Sequence, residues 1–295
     1  MTTILVSSDD SAVAVQIGEK MAKGLGYSFV GPTLLKQVAE EHKLQEAKLV
    51  RALERMPLRK LPSKLPLALI QAATLQRLLE DDIVCVNLAA HLYVRGVAHV
   101  MMIRVLSDVN AHIGRIAAEK KTSTRKARKL VDKERERRAR WSLDNFGIDE
   151  SDPSIYDMVI SLAQIEPDKV VDIVKDMSTY RKFRQMTYSR KCLNDLALAA
   201  QVRVALLPAF PDIRVSADGD AATVYVKCSK SKKQQVAKEI KETAGKLEGV
   251  QLVKVHAVTS QRQLEQAPEL AQEAAATQPA GGGPGTVPAR TRPVG

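Results

Sequence analysis

Short apolar segments alternate with amphipathic helices over residues 1–178, and this alternation constrains the fold more than any other feature of the chain. Strands are predicted at residues 3–7, 83–86, 100–105 and 158–161. Helical spacing of apolar residues predicts helices after the first strand and at residues 33–56, 67–80 and 167–177. Strands separated by helices indicate an α/β fold with a parallel sheet and helices on both faces.

A different pattern follows residue 178. Residues 179–191, TYRKFRQMTYSRK, contain five cations and no carboxylate, and are predicted to form a basic linker. Residues 192–260 then read as helix, two alternating strands around the Asp218–Gly219 turn, helix and strand, which predicts a small α+β domain of order αββαβ. Residues 261–295 are dominated by Ala, Gln, Pro and Gly, so a disordered tail is expected there.

Charge and cysteine content narrow the class of protein. The net charge of +11 indicates an anionic partner without separating nucleotide, nucleic acid and lipid headgroup. Three cysteines far apart and five scattered histidines show no metal-ligand spacing, so no metal site is predicted and a reducing cytoplasm is expected. No stretch reaches the roughly 20 apolar residues of a membrane span, and no secretory signal pattern is recognised.

Three segments of residues 1–178 align without gaps to a known pattern. They are IGEKMAKGLGYSFVG at 17–31, DDIVCVNLAA at 81–90 and DKERERRARWSLDNFGIDESDPSIYDMVIS at 132–161. On these segments the chain resembles the cytidylate kinase-like family, which has a P-loop nucleoside-monophosphate kinase fold. The third segment is the most specific. It matches at Asp132, Lys133, Arg135, Gly147, Asp149, Asp152, Pro153, Tyr156 and Asp157. The resemblance implies ATP, Mg²⁺ and a nucleoside-monophosphate acceptor.

The phosphate-binding loop departs from that pattern. The family's G-S-G-G falls on residues 11–14, Ser-Ala-Val-Ala, which lack the glycines that let backbone N–H groups converge on phosphate. Asp9 and Asp10 place two negative charges where a triphosphate would lie, each costing about 4 kcal/mol at about 4 Å. Asp9 or Ser11 is expected to cap the first helix. A bound Mg²⁺ is left open as an alternative, and Ser8 and Ser11 stay candidate anion contacts.

The acceptor site departs as well. The family's G-R-G turn falls on Asn87-Leu88-Ala89, and leucine cannot make the bidentate contacts of arginine. Asn87 is expected to form a local hydrogen bond. Two anion sites have lost their donors in one chain, which predicts lost catalysis.

The lid region keeps its charge. Residues 120–140 hold eleven cations and three carboxylates, a net charge of +8. The resemblance implies that Arg135 and Arg138 contact a phosphoryl group, beside Asp132 of the same motif. A solvated helix is an equally good explanation. RNA contact is a third, with Trp141 as the one nearby stacking ring.

Residues 193–258 resemble a BON domain. The match rests on the Asp218–Gly219 turn, the Val224-x-Val226 strand and residues 248–250, with Cys228 where the family usually has glycine. The resemblance implies contact with a phospholipid, another ligand or a protein partner. Strand alternation predicts an outer sheet face for that partner. This face carries Arg214, Ser216, Tyr225, Lys227 and Lys254.

The sequence therefore predicts a catalytically degenerate cytidylate kinase-like protein with a binding or regulatory role, and no catalytic residue is assigned. Two alternatives remain. One is an active CMP-type kinase that uses ATP and Mg²⁺ in a rebuilt phosphate site. The other is a basic RNA-associated protein.

Overall fold

A computed structural model describes residues 2–54 and 64–267 of the chain. Residues 55–63, which join the predicted helices 33–56 and 67–80, and most of the predicted disordered tail lie outside the described residues. Within them, the α/β fold class predicted from the sequence is confirmed, with a five-stranded parallel sheet followed by a second, three-stranded sheet.

The large sheet is wholly parallel and has the strand order β2-β3-β1-β4-β5. Its strands are β1 Thr3–Ser8, β2 Ser28–Val30, β3 Ile83–Val86, β4 Val100–Leu106 and β5 Met158–Ser161. The three-residue strand β2 was not predicted, because Ser-Phe-Val is too short to show an alternating pattern. β1 lies between β3 and β4, so the turn that follows β1 lies at the centre of the sheet edge.

Helices cover both faces of this sheet. They are α1 Ser11–Leu25, α2 Thr33–Glu41, α3 Glu46–Glu54, α4 Leu65–Leu78, α5 Ala90–Tyr93, α6 Val109–Glu119, α7 Thr124–Phe146 and α8 Pro167–Ser178. Alternate residues of β1 enter different layers, because successive side chains of a strand point to opposite faces. Ile4 and Val6 pack with the buried residues of α1 and α8, whereas Leu5 packs with those of α2, α3 and α4.

The prediction of a single helix over residues 33–56 is wrong, because the helix is interrupted between α2 and α3. Lys43 adopts a left-handed conformation with φ +52°, and Leu44 N–H donates to Ala39 O at 2.8 Å. This 6→1 hydrogen bond closes α2, and Leu44 then packs on the core. Sequence periodicity missed the break because a lysine stands where glycine would have marked it.

The second sheet has the predicted order αββαβ. Its elements are α9 Thr187–Leu206, β6 Ile213–Asp218, β7 Ala221–Lys227, α10 Lys233–Ala244 and β8 Leu252–Val258. β7 is central, antiparallel to β6 and parallel to β8. A further helix, α11 Gln261–Glu265, lies where the disordered tail was expected to begin, since a Ser260–Gln263 capping box starts it and Leu264 is buried.

The basic segment 179–191 is structured rather than extended. Residues Arg181–Phe183 form a 3₁₀ turn, Phe183 is buried, and α9 already begins at Thr187. Helix α9 packs against α4 and β6, and buried residues of both sheets join one hydrophobic cluster. The independence of residues 192–260 as a domain stays a prediction.

Replacing Lys43 by glycine should stabilise the protein. The left-handed conformation costs a residue with a Cβ about 1 kcal/mol, and glycine adopts it freely. We expect Lys43→Gly to raise the free energy of unfolding by about 1 kcal/mol in urea denaturation.

Lys48, an exposed lysine inside α3, provides the matched control. Lys48→Gly should lower stability by about 1 kcal/mol, because glycine is a poor helix former. If both substitutions destabilise the protein equally, Lys43 does not occupy the left-handed region.

Candidate functional site

The turn between β1 and α1 is the centre of the candidate site. β1 ends at Ser8 and α1 begins at Ser11, so Asp9 and Asp10 alone join them. Ser8 Oγ accepts a hydrogen bond from Asp10 N–H at 3.1 Å. This is a tight, capped turn, and it leaves no glycine-rich loop to surround a phosphate.

Asp10 caps α1, which corrects the predicted cap of Asp9 or Ser11. Its Oδ1 accepts from the N–H groups of Ala12 and Val13 at 3.1 and 3.3 Å. Arg115 Nη2 of α6 lies 2.5 Å from the same oxygen, and the Asp10 side chain is 1% exposed. His112 Nε2 lies 3.7 Å from Oδ2. Two N–H groups at the start of α1 are therefore already bound to a carboxylate of the chain itself.

Asp9 links the ends of β1 and β4 to the lid helix α7. Its Oδ1 accepts from the backbone N–H and hydroxyl of Ser107 at 2.9 and 3.0 Å, and its Oδ2 is ion-paired with Arg135. Although burial opposes ionisation, the Ser107 hydrogen bonds and the Arg135 charge hold the pKa of Asp9 below its usual value. Asp9 is thus a buried, ionised counter-ion for a lid arginine.

Arg138, one turn further along α7, is bound to Glu150. Its Nε and Nη2 donate to Oε1 and Oε2 of Glu150 at 2.6 and 3.3 Å, a bidentate pair. His91 Nε2 lies 3.3 Å from Glu150 Oε2. Burial opposes ionisation of Glu150, but Arg138 and His91 outweigh it and lower the pKa of Glu150 to about 2. Burial also lowers the pKa of His91, which favours the neutral imidazole.

A fourth cation lies beneath these pairs. Arg104 of β4 is 9% exposed, and its Nη1 donates to Ser7 Oγ and Tyr156 Oη, both at 3.2 Å. Tyr156 Oη donates to Glu150 O at 2.8 Å. Four arginines, those at 104, 115, 135 and 138, therefore converge near the end of β1, and each is bound to a group of the protein.

Two open clefts flank this cluster. One has a volume of about 780 Å³ and lies between α1, α6 and α7, with Lys120, Lys133 and Arg137 among its lining residues. The other has a volume of about 490 Å³ and lies between α7 and the ends of β4 and β5. Asp9, Glu134 and Arg138 line both, so the two clefts adjoin at these side chains.

The turn after β3 contains two residues other than glycine in the left-handed backbone conformation. Asn87 and Ala89 have φ of +62° and +56°, and these are the two positions where the resembling family has glycine. Leu88 between them is fully buried. Asn87 Nδ2 donates to both O and Oγ of Ser11 at 2.8 Å. The expected local hydrogen bond of Asn87 therefore ties the end of β3 to the start of α1.

The predicted anion contacts divide into two groups. Arg135 and Arg138 lie at the site, and Ser8 is buried beneath it. Ser11 is occupied with Asn87, and Asp132 is exposed on α7. Trp141 gives the RNA alternative at the lid no stacking surface, because its ring is 3% exposed and its Nε1–H donates to Ala52 O at 3.1 Å.

The predicted partner face is assembled by the register of the second sheet. Arg214 lies opposite Tyr225, and Lys227 and Lys254 are exposed on neighbouring strands. Tyr225 stacks on His256 with ring centroids 5.0 Å apart. α11 contacts β7 and β8, and Arg214 Nη1 donates to Ala267 O at 2.9 Å, so part of this face is covered.

Sequence reasoning missed five side chains of the site. They are His91, Arg104, Ser107, Arg115 and Glu150. Arg104 carried a usable signal, since it is the one charge in the apolar strand Val100–Leu106, and a buried cation requires a partner. Glu150 lies inside the most specific matching segment. No signal in the sequence pointed to His91, Ser107 or Arg115, because their partners are distant in sequence.

In this arrangement the capped turn itself does not fit the phosphates of ATP. The N–H groups at the start of α1 and the lid arginines are bound to the chain's own carboxylates, and no lysine lies in the turn to hold a phosphate. Over residues 2–54 and 64–267, no group of three or more His, Cys, Asp or Glu side chains could hold a metal ion. None of the helices in the same ranges is long and apolar enough to cross a membrane.

A model of a known protein family matches much of the chain. The model of the family described as "Cytidylate kinase-like family" matches residues 4–164, more than half of the chain and the part that contains the parallel sheet and the site. The chain belongs to the cytidylate kinase-like family. No curated protein matches it.

Solved structures show distant similarity. An uncharacterized protein from Eubacterium ventriosum is 14% identical, with 60% of this chain and 97% of that chain covered and a TM-score of 0.44. A shikimate kinase from Bacteroides thetaiotaomicron is 10% identical, with 60% and 97% covered and a TM-score of 0.40. A shikimate kinase from Acinetobacter baumannii in complex with shikimate is 11% identical, with 62% and 96% covered and a TM-score of 0.37.

Glu150 should give the protein a specific acid sensitivity. Its pKa in the folded state, about 2, lies below its ordinary value of 4.5. The stabilisation by ionised Glu150 is therefore complete above pH 4.5 and is lost as the pH falls towards 2. Glu150→Gln should cost about 3 kcal/mol at pH 7, because it leaves Arg138 without its buried partner.

The difference in unfolding free energy between wild type and Glu150→Gln should shrink between pH 4.5 and 2, as measured by urea denaturation. Glu119→Gln is the control, since Glu119 is a half-exposed partner of Arg115 and should cost less than about 0.5 kcal/mol. A difference that stays constant with pH would show that Glu150 is not the titrating group.

Proposed function

We propose that this chain is a non-catalytic member of the cytidylate kinase-like family that acts by binding or regulation. The observation that carries the proposal is the turn after β1, where Asp9 and Asp10 take the contacts that a phosphate would make. Asp10 is bound to N–H groups at the start of α1 and to Arg115. Asp9 is bound to Arg135.

Electrostatics favours this reading over an active kinase. A phosphate entering the turn would meet two carboxylates, each costing about 4 kcal/mol at about 4 Å. Both carboxylates are nearly inaccessible, with side chains 6% and 1% exposed, so moving them aside would break several charge-assisted hydrogen bonds. The alternative, an active CMP-type kinase with a rebuilt site, requires that rearrangement in every turnover.

Anion binding remains part of the proposal, through exposed cations of the lid region and not through the N–H groups of the capped turn. Lys120, Lys121, Arg125 and Arg128 are exposed, and none forms an ion pair with a carboxylate of residues 2–54 or 64–267. Such cations bind nucleotides, polyphosphate or RNA through charge alone, and that binding weakens with salt. The family membership supports a nucleotide as one such anion.

We also propose that residues 193–258 form a BON-like unit for partner binding. The αββαβ order supports this, as does the outer face on which Lys227 and Lys254 are exposed. Because α11 covers part of that face, the open part lies around these two lysines. An anionic phospholipid headgroup or an acidic protein surface suits their charge.

Purified protein should not catalyse phosphoryl transfer. With ATP and Mg²⁺, phosphorylation of CMP, dCMP or UMP should not exceed a reaction without protein, measured by separation of labelled nucleotides. Turnover that disappears in Arg135→Ala or Arg138→Ala would contradict the proposal.

A substitution can test whether the Asp9 carboxylate excludes phosphate from the turn. Asp9→Asn removes the negative charge that neutralises Arg135, so calorimetric affinity for ATP should increase at least tenfold. Asp144→Asn changes the charge equally at an exposed position of α7 and should leave that affinity within twofold. Equal affinity in wild type and Asp9→Asn would show that Asp9 does not exclude phosphate.

The open part of the second sheet should contact anionic membranes. We expect Lys227→Ala with Lys254→Ala to reduce co-sedimentation with phosphatidylglycerol vesicles by at least fivefold, because each lysine near an anionic surface contributes about 1 kcal/mol. Lys241→Ala with Lys246→Ala removes the same charge from α10 and the turn after it, and should have little effect. If the two pairs behave alike, the predicted face has no specific role.

A further inference from the structure

The edge of the parallel sheet opposite the candidate site carries a second surface. The chain from α8 to α9 crosses the ends at which the strands begin. Thr2, just before β1, donates to Phe183 O at 3.2 Å, and Asp157, just before β5, is ion-paired with Lys182. His99, just before β4, binds Ser189 through N–H···Oγ at 3.1 Å.

Large apolar groups are exposed along this segment. Tyr180 is 60% exposed, Met186 64% and Tyr188 46%. They are three of eight large apolar side chains exposed in the described part of the chain, and the other five lie at separate positions between residues 109 and 252 of the sequence. Both strongly exposed tyrosines belong to this one stretch, and exposed rings grouped in this way mark a binding surface.

Cations lie between Tyr180 and Tyr188 in the sequence. Arg181, Lys182 and Arg184 are exposed, and the segment 179–191 has no carboxylate. Lys182 is ion-paired with Asp157. Arg181 and Arg184 form no ion pair with any carboxylate of the described ranges, so their charge is available to an anion.

The backbone of this surface is fixed before any ligand binds. Phe183 is buried, Phe183 N–H donates to Tyr180 O at 3.0 Å, and Arg184 N–H donates to Arg181 O at 3.1 Å. Arg190 is paired with Asp81 at 3.2 Å, where β3 approaches the same edge. The exposed side chains therefore project from an ordered segment, the 3₁₀ turn and the start of α9, which lowers the entropy cost of binding.

We propose that the surface formed by Tyr180, Arg181, Lys182, Arg184, Met186 and Tyr188 binds single-stranded RNA. Unstacked bases stack on exposed tyrosine rings, and arginines between the rings bind the phosphates that connect those bases. A duplex hides its base faces and cannot use the rings. An acidic peptide or a membrane would use the charges without needing two tyrosines.

The test uses the full chain and a fluorescently labelled 12-nucleotide oligouridine, with binding followed by anisotropy. Tyr180→Ala with Tyr188→Ala keeps every charge, and should weaken binding at least tenfold, since two stacking contacts are lost. Tyr180→Phe with Tyr188→Phe keeps the rings and should bind within twofold of wild type. Affinity of the alanine variant for inorganic polyphosphate should change less than twofold.

Arginine variants separate this surface from the lid. Arg181→Ala with Arg184→Ala should weaken oligouridine binding and reduce the slope of log affinity against log salt by about 1.4, two contacts at about 0.7 each. Arg125→Ala with Arg128→Ala removes equal charge from α7 and should leave the tyrosine dependence intact. Unchanged binding in the tyrosine-to-alanine variant overturns the proposal, as does loss of binding only in the α7 variant or equal affinity for duplex RNA.

Discussion

The ion pairs of Asp9 and Asp10 are the interactions on which the rest of the site depends. These two residues join the central strand of the sheet to the helix that follows it. Through Ser107, Arg115 and Arg135 they also hold the end of β4, helix α6 and helix α7. Because every one of these partners is a donor or a cation, the two carboxylates act as resident anions. The position of the lid helix is therefore set by the chain itself and does not require a bound phosphate.

Glu150 is a third carboxylate that is paired with an arginine, here Arg138 of α7. It is buried, ionised and paired with Arg138, and its backbone oxygen accepts from Tyr156. Tyr156 in turn accepts from Arg104, which lies within β4. Three carboxylates thus neutralise three of the four arginines around the end of β1. Buried carboxylates are costly unless they are paired, so these pairings stabilise the arrangement of the arginines around the end of β1.

The sequence predicted the fold well and the site only in part. Alternation of strands and helices located four of the five parallel strands and the αββαβ order, because hydrophobic periodicity reports burial directly. It missed the break at Lys43, where a left-handed residue is not a glycine. It assigned the helix cap to the neighbours of Asp10, since spacing alone cannot choose between adjacent polar residues. Arg115 and His91 were missed because their partners are joined to them only in three dimensions.

The turn after β3 is held in its conformation by contacts within the chain. Asn87 and Ala89 keep left-handed backbone conformations at positions where the family pattern has glycine, and each costs about 1 kcal/mol for a residue with a Cβ. Two local contacts offset this cost. Asn87 donates two hydrogen bonds to Ser11, and Leu88, which replaces the arginine of the pattern, is buried in the core. Burial of the Leu88 side chain contributes about 2 kcal/mol. The geometry of the turn is thus maintained by the packing of Leu88 and by the hydrogen bonds from Asn87 to Ser11 of α1. It does not depend on a bound substrate.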